Sequence, residues 1–279
     1  AAVDTATAKQ ALKLIKVEYE VLPHVIDVVE AMQPDAPVLH DDQFTKGVEP
    51  TPDKPSNVAL RMESKLGDVE AGFRQADIII EREFNTKPAH QGYIEPQASL
   101  ATYTDGQAEV WTSTQGHFVM RAQIAKLLQM DVSKIKVTAA ELGGGFGGKN
   151  NVYLEPLAVV LSRKSARPVK MVMTRDEVFR ATGPTSGTNV HIKIGATRDG
   201  KITAAQAVMN YQAGAFAGSS LPLAAITVFT RYDLENVLVT GFDVTSNRPK
   251  VAAYRAPGAP MVAFGVESVI DEIAEALKI

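Results

Sequence analysis

Hydrophobic residues recur at helical spacing in several stretches of the chain. In the first stretch the capping-type residue Asp4 precedes apolar positions at Ala8, Leu12 and Ile15, which is the spacing of one helix face. The predicted helices cover residues 4–16, a short segment that begins at Asp68, and residues 117–130, 152–165 and 266–279.

Other stretches alternate between apolar and polar residues, as strands do. Asp105-Gly106 and Asp199-Gly200 separate pairs of such stretches, so they predict two hairpins. The predicted strands cover residues 16–23, 78–86, 99–104, 108–114, 134–141, 168–177, 189–197 and 201–215. The sequence therefore predicts an α+β fold with mixed sheets and packed helices.

Residues 31–58 lack this periodicity and are rich in proline and acidic residues, which predicts a surface linker. The linker would separate a short segment, residues 1–30, from a domain at residues 59–279. The chain starts with Ala1 in helical pattern and stops directly after its last helix. We therefore expect it to be a piece of a longer protein.

The composition is that of a globular protein, with 279 residues, 45% hydrophobic residues and a net charge of -3. This nearly balanced charge predicts neither a nucleic-acid partner nor a membrane surface. The chain has no cysteine, and its five histidines lack the spacing of a metal motif. These facts exclude iron–sulfur and zinc–thiolate sites within the chain and weakly favour a cytoplasmic location.

The loop "ELGGGFGGKN" at residues 141–150 is the densest glycine stretch. Gly143 to Gly148 fits the dinucleotide-binding pattern, for which Asp176 would supply the ribose-binding acid. The same glycines with Lys149 fit a phosphate-binding loop, except that Asn150 stands where serine or threonine is needed. A tight turn without a ligand is the remaining alternative.

Three other loops carry polar residues suited to the same ligand. Gln115 lies between a predicted strand and a helix, Glu95 precedes a strand, and Arg255 lies in a proline- and glycine-rich turn. Each has a structural alternative: a helix-end amide, an acid facing a basic group and a surface salt bridge. Together an amide, glycine N–H groups and a guanidinium predict a pocket for a large, polar, anionic cofactor.

The stretches "TQG", "GGGFGGK" and "AYRAPGAP" occur in this order. The chain thereby resembles the molybdenum-binding subunit of the xanthine dehydrogenase/aldehyde oxidase family over essentially its whole length. The resemblance implies that residues 1–30 are the end of a hammerhead-like α/β domain and residues 59–279 the first molybdopterin-binding domain. It also implies hydroxylation of an aldehyde or N-heteroaromatic substrate, with water as the oxygen source.

The family resemblance further implies the cofactors. Molybdenum is held by a pterin, as molybdopterin or its cytosine dinucleotide form, and not by protein side chains. Iron–sulfur clusters and FAD are expected on partner chains or domains. The implied cofactor-binding residues are Gln115, Gly144, Gly145, Phe146, Gly147 and Arg255.

The implied substrate-facing residues depart from the purine-oxidising members. Asn150 replaces a substrate-binding glutamate, Pro257 replaces a ring-stacking phenylalanine, and no second substrate arginine occurs near Leu223. We therefore do not expect xanthine as the substrate. The "YRAPGAP" loop also lacks the cysteine of the carbon monoxide-oxidising branch, which disfavours that chemistry.

The family's catalytic base is a glutamate in a late "GE" motif, downstream of the final helix here. We therefore expect no catalytic residue in this chain, inactivity of the chain alone, and a second molybdopterin-binding half as a partner. Two alternatives stay open on the residues themselves. One is a nucleotide-binding α/β oxidoreductase that uses Gly143–Gly148 and Asp176, and the other is a non-catalytic scaffold domain.

Overall fold

The computed structural model describes residues 2–279. Within them the chain forms two mixed sheets with helices packed against them, as the sequence predicts. In chain order the elements are α1 (Thr5–Leu12), β1 (Val58–Leu66), α2 (Val69–Arg74), β2 (Ile78–Thr86), β3 (Ala98–Thr104), β4 (Gln107–Thr112), α3 (His117–Leu128), β5 (Ile135–Ala139), α4 (Glu155–Ser165), β6 (Val169–Val172), α5 (Arg175–Ala181), β7 (Thr188–Ala196), β8 (Ile202–Gly214), α6 (Leu221–Thr227), β9 (Val237–Thr245) and α7 (Ala259–Leu277).

The larger sheet has the strand order β1-β9-β8-β7-β2 and packs against α7 and α2 on opposite faces. On β8, Ala205 belongs to the core that contains Val262 and Val266 of α7, while the adjacent Ala204 packs with Phe73 of α2. Neighbouring strand residues point to opposite faces of a sheet, so the two helices cover both sides. No helix within residues 2–279 has both the length and the apolar character needed to cross a bilayer.

The smaller sheet has the strand order β5-β4-β3-β6 and packs against α3 and α4. Its core joins Val110 of β4 to Ile124 of α3 and Val159 of α4. The hairpin predicted around Asp105-Gly106 is confirmed: both residues have positive φ, 51° and 79°, as the favoured two-residue turn requires. Strands β4 and β5 are parallel neighbours.

The structure differs from the sequence prediction in several elements. Residues 16–23 form no strand, because no strand within residues 2–279 pairs with them, and these residues are exposed. The strand predicted at 168–177 stops at Val172, since Thr174 and Glu177 form a capping box that starts α5. Strand β1 and helix α6 were not predicted.

The segment before β1 lies against the larger sheet. Val25, Val28 and Ala31 pack with Val244 of β9. The Asn57 amide donates to the carbonyl oxygens of Ala31 and Pro37, at 3.0 and 2.9 Å. These contacts hold the segment against the larger sheet, and the only helix between residues 25 and 57 is a short 3-10 turn at Glu30–Met32.

Candidate functional site

The glycine loop and the loop of Gln115 are adjacent because of the sheet topology. β4 and β5 are parallel, with Thr112 opposite Ala139 at their carboxyl ends. Loops that follow neighbouring parallel strands emerge at the same edge of a sheet. The sequence pattern alone could not supply this pairing.

Gln115 is fixed by the backbone of the glycine loop. Its Oε1 atom accepts hydrogen bonds from the N–H groups of Gly147, at 2.8 Å, and Lys149, at 3.3 Å. The Gln115 N–H group donates to the Lys149 carbonyl oxygen at 3.1 Å. Both side-chain bonds use the oxygen, so the amide nitrogen of this exposed residue keeps its two donors for a ligand.

Close packing between the loops requires glycine at two positions. A Cβ atom on Gly145 would lie 2.5 Å from Gln115 Oε1, and one on Gly147 would lie 2.7 Å from the Ala253 carbonyl oxygen. Gly147 also has a φ of +99°, which side-chain-bearing residues rarely adopt. These glycines therefore allow close contacts within the protein, and they also leave room for a ligand to approach the backbone.

Arg255 lies against the same loop. Its N–H group donates to the carbonyl oxygen of Phe146 at 2.9 Å, and Phe146 itself has a φ of +51°. The Arg255 side chain is exposed, and no carboxylate of residues 2–279 pairs with it. The surface salt bridge considered for Arg255 is therefore not formed, and its guanidinium is available to an anion.

The Arg255 turn is also tied to the larger sheet. The Tyr211 hydroxyl of β8 donates to the Gly258 carbonyl oxygen at 2.8 Å. Burial raises the pKa of Tyr211, so the hydroxyl keeps its proton. This bond fixes the turn that positions Arg255.

Glu95 is a structural acid and forms a partly buried ion pair. Its Oε2 atom lies 2.6 Å from Lys149 Nζ and accepts the Gly143 N–H at 2.9 Å. The Lys149 side chain is only 1% exposed, and its Nζ lies 4.9 Å from the centre of the Tyr93 ring. Lys149 is therefore occupied and cannot serve as the lysine of a phosphate-binding loop.

Gln91 and Gln97, which flank Glu95 in the sequence, are structural too. Gln91 is buried and its amide donates to the carbonyl oxygens of Gly183 and Ala253, at 3.1 and 2.8 Å. Gln97 is buried and donates to the Tyr93 hydroxyl. Both side chains are buried, whereas Gln115 is exposed.

The topology does not form a dinucleotide-binding unit. Helix α4 begins only at Glu155, so the glycine loop does not open a helix. The following strand, β6, pairs with β3 at the opposite edge of the sheet from β5. Asp176 lies in α5 and is paired with Arg180 at 2.8 Å. The nucleotide-binding alternative is therefore wrong for this loop.

A cleft of about 710 Å³ opens beside the glycine loop, within the usual size of small-molecule sites. Gly147, Asn150, Leu223 and Pro257 line it, so the cleft brings together Asn150 and Pro257, the two residues predicted to face the substrate, with Gly147 of the glycine loop. The lining also includes two basic residues that sequence reasoning missed, Arg180 and Lys250. Single basic residues in polar stretches give no sequence signal.

The chain matches the family described as "Molybdopterin cofactor-binding domain" over residues 50–279. One relative is the nicotinate dehydrogenase large molybdopterin subunit of Eubacterium barkeri, 30% identical over 273 residues, with 96% of this chain and 61% of the relative covered. Another is the probable hypoxanthine oxidase XdhD of Escherichia coli K12, 32% identical over 302 residues, with 98% of this chain and 31% of the relative covered. The chain thus spans between 31% and 61% of the length of these two relatives.

Solved structures agree with this assignment. The aldehyde oxidoreductase of Desulfovibrio gigas superposes with a TM-score of 0.90 at 25% identity, with 100% of this chain and 30% of that chain covered. The CO dehydrogenase of Oligotropha carboxidovorans gives a TM-score of 0.84 at 27% identity, with 100% and 36% covered. The chain therefore belongs to the molybdopterin cofactor-binding domain family, as its resemblance to the xanthine dehydrogenase/aldehyde oxidase enzymes predicts.

Proposed function

We propose that this chain supplies one half of the molybdenum–pterin site of a hydroxylase. The enzyme would oxidise an aldehyde or N-heteroaromatic substrate and take the oxygen from water. The single observation that carries the proposal is the fixed Gln115 amide, whose oxygen is held by Gly147 and Lys149 and whose nitrogen is free.

The chemistry of the exposed groups fits such a cofactor. Gln115 offers amide N–H donors and Arg255 offers an unpaired guanidinium, and both residues bond to the Phe146–Gly147 backbone. Donors and positive charge suit the oxygen ligands and the phosphate of a metal–pterin group. In this proposal the pterin holds the metal, as the family resemblance implies.

The residues of this chain would bind and orient the cofactor and the substrate. The cofactor would accept the two electrons removed from the substrate carbon. Gln115 would donate to an oxygen ligand of the cofactor, and the backbone of residues 144–147 would pack beside it. Asn150 and Pro257 line the cleft and would contact the substrate. A base positioned by the other half of the site would accept the proton of the water-derived oxygen that attacks the substrate carbon.

The remaining parts of the enzyme belong to the same proposal. The partners are a second molybdopterin-binding half with the catalytic glutamate, an iron–sulfur subunit and a flavin subunit, without nucleic acid or membrane. The pterin would be molybdopterin or its cytosine dinucleotide form. A cytoplasmic location is also proposed, for which the lack of cysteine gives weak support.

The division of the chain is proposed as a hammerhead remnant at residues 1–30, a linker at 31–58 and the cofactor domain at 59–279. The exposure of nearly all of residues 2–24 supports the assignment of that segment to a neighbouring unit. Val25 and Val28 nevertheless pack on Val244 of β9, so this part of the remnant would contact the cofactor domain.

Metal and pterin analysis of the purified, active assembly tests the proposed function. We expect close to one molybdenum atom and one pterin for each copy of this chain, and no turnover by the chain alone. Active assembly without molybdenum would overturn the proposal. Turnover by the isolated chain would overturn the assignment of the base to another segment.

A further inference from the structure

The cleft beside the glycine loop has a basic lining. Arg180 and Lys250 are part of its wall, and no aspartate or glutamate lines it. Arg180 is exposed and already paired with Asp176 at 2.8 Å, so most of its charge is compensated at the surface. Lys250 differs from Arg180, because no carboxylate within residues 2–279 pairs with it.

The Lys250 ammonium is incompletely satisfied by the protein. Its Nζ atom donates to the Gly218 carbonyl oxygen at 2.6 Å, and no carboxylate of residues 2–279 forms an ion pair with it. An ammonium has three donors, so two remain. Burial lowers the pKa of Lys250 below its usual 10.5, although Asp243 acts in the opposite direction.

Asp243 does not neutralise Lys250 by direct contact. This buried carboxylate accepts hydrogen bonds from the N–H groups of Gly218, at 2.7 Å, and Ser219, at 2.9 Å. It therefore holds the backbone of residues 218–219, whose other side lines the cleft. A half-buried ammonium with free donors is stabilised by an anionic partner, because the partner replaces lost hydration with a charge-assisted hydrogen bond.

We propose that the cleft selects substrates that carry a carboxylate, which Lys250 binds. This inference rests on the proposed function, because it takes the cleft lined by Asn150 and Pro257 as the substrate site. The oxidised carbon of the substrate lies toward Gly147 and Asn150, and the carboxylate lies toward residues 249–251. Lys250 is a specificity-determining residue in this arrangement.

Calorimetric titration of the assembled enzyme with benzoate and benzamide tests the inference directly. The two probes have the same ring and differ in charge. We expect benzoate to bind at least about tenfold more tightly than benzamide, as a charge-assisted hydrogen bond predicts. Equal affinities, or no measurable binding of benzoate, would overturn the inference without any substitution.

Substitutions of Lys250 test whether this residue causes the preference for benzoate. Lys250→Met should weaken benzoate binding about tenfold and leave benzamide binding unchanged, while Lys250→Arg should keep most of the preference. Lys136→Met is the matched control, because Lys136 is an exposed lysine of β5 that pairs with Glu109. An equal loss for both probes in Lys250→Met, or loss of the preference in the control, would contradict the assignment to Lys250.

Molybdenum analysis of the same preparation separates this inference from the proposed function. Selective benzoate binding by an active assembly without molybdenum would support the anion site and overturn the proposed function. A molybdenum-containing, active assembly that does not distinguish the two probes would support the proposed function and overturn the anion site.

Discussion

The carboxylate of Glu95 holds both ends of the glycine loop. Its Oε2 atom accepts the Gly143 N–H at 2.9 Å and lies 2.6 Å from Lys149 Nζ. The Lys149 backbone in turn bonds to Gln115 in both directions. The position of the Gln115 amide therefore depends on an ion pair that does not reach the exposed site.

Replacing Glu95, the acid of this pair, should destabilise the chain more than replacing Lys149, the base. Glu95→Gln leaves the Lys149 ammonium, 1% exposed, with Ser113 Oγ at 3.5 Å and an uncharged amide. We expect a loss of about 3 kcal/mol, the lower end for broken buried pairs, because Glu95 is 33% exposed. Lys149→Met also removes the buried charge and should cost less.

Urea denaturation of the chain measures both variants. Glu63→Gln serves as the control, because Glu63 pairs with Arg61 at the surface and should change the free energy of unfolding by less than about 1 kcal/mol. A larger loss for Lys149→Met than for Glu95→Gln would contradict the order predicted here.

The same pair predicts a pH dependence. Burial acts to raise the pKa of Glu95, but the hydrogen bonds from Lys149 and the Gly143 N–H outweigh it and hold the pKa below its usual 4.5. A depressed pKa contributes stability that is fully present above pH 4.5 and is lost as the pH falls through the pKa of the folded protein. The difference in unfolding free energy between wild type and Glu95→Gln should therefore be largest near neutral pH and shrink below pH 4.5. Denaturation curves between pH 7 and pH 3 measure it, and a constant difference would argue against a role of the Glu95 charge.

Gly147→Ala should destabilise the contact between the glycine loop and the Arg255 loop. The new Cβ atom would meet the Ala253 carbonyl oxygen at 2.7 Å at a φ of +99°. Strain and clash together should cost more than about 2 kcal/mol. Gly106→Ala is the matched control, since Gly106 has a φ of +79° but nothing within 4 Å of an added Cβ, and should cost about 1 kcal/mol. Equal losses in thermal or urea denaturation would mean that the Ala253 contact does not matter.

Gly145→Ala should impair the site more than the fold. Its Cβ atom would lie 2.5 Å from Gln115 Oε1, which is the end of a flexible side chain that can rotate away. We expect about 1 kcal/mol of destabilisation, because the displaced Gln115 no longer accepts from the N–H groups of Gly147 and Lys149, together with at least tenfold lower turnover of the assembled enzyme. Unchanged turnover would mean that displacement of Gln115 has no effect on the reaction.

The sequence predicted those parts of the fold that depend on local interactions. The hairpin at Asp105-Gly106 and the helices that became α3, α4 and α7 follow from turn chemistry and periodicity within the segment itself. The strand expected at 16–23 alternates just as well, yet no partner strand pairs with it. Pairing is a property of distant residues, so alternation in one segment cannot decide it.

Prediction of the candidate site from the sequence has the same limit. Gln115, the glycine loop and Arg255 could be marked from their residue types and from the family resemblance. That Glu95 and Lys149 neutralise each other, and that Lys250 lines the cleft of Asn150, depends on residues from different strands and loops coming together. Long-range packing of this kind leaves no periodic trace in the sequence.

Substitution of Gln115 by glutamate separates its two roles. The carboxylate introduced by Gln115→Glu would keep an oxygen that accepts from the N–H groups of Gly147 and Lys149, at 2.8 and 3.3 Å in wild type, so the loop should keep its structure. The variant would lose the amide donors and add a negative charge toward the cofactor. Loss of a hydrogen bond to a charged ligand costs about 1.5–3 kcal/mol, so Gln115→Glu should lower the turnover number of the assembled enzyme at least tenfold.

Gln115→Ala should lower turnover similarly and should also destabilise the chain by about 1 kcal/mol, because two backbone N–H groups lose their acceptor. Turnover numbers and urea denaturation measured side by side decide this, with Gln107→Glu at the exposed first residue of β4 as the control. If Gln115→Glu keeps full turnover, the amide nitrogen does not act on the cofactor, and Gln115 only shapes the glycine loop.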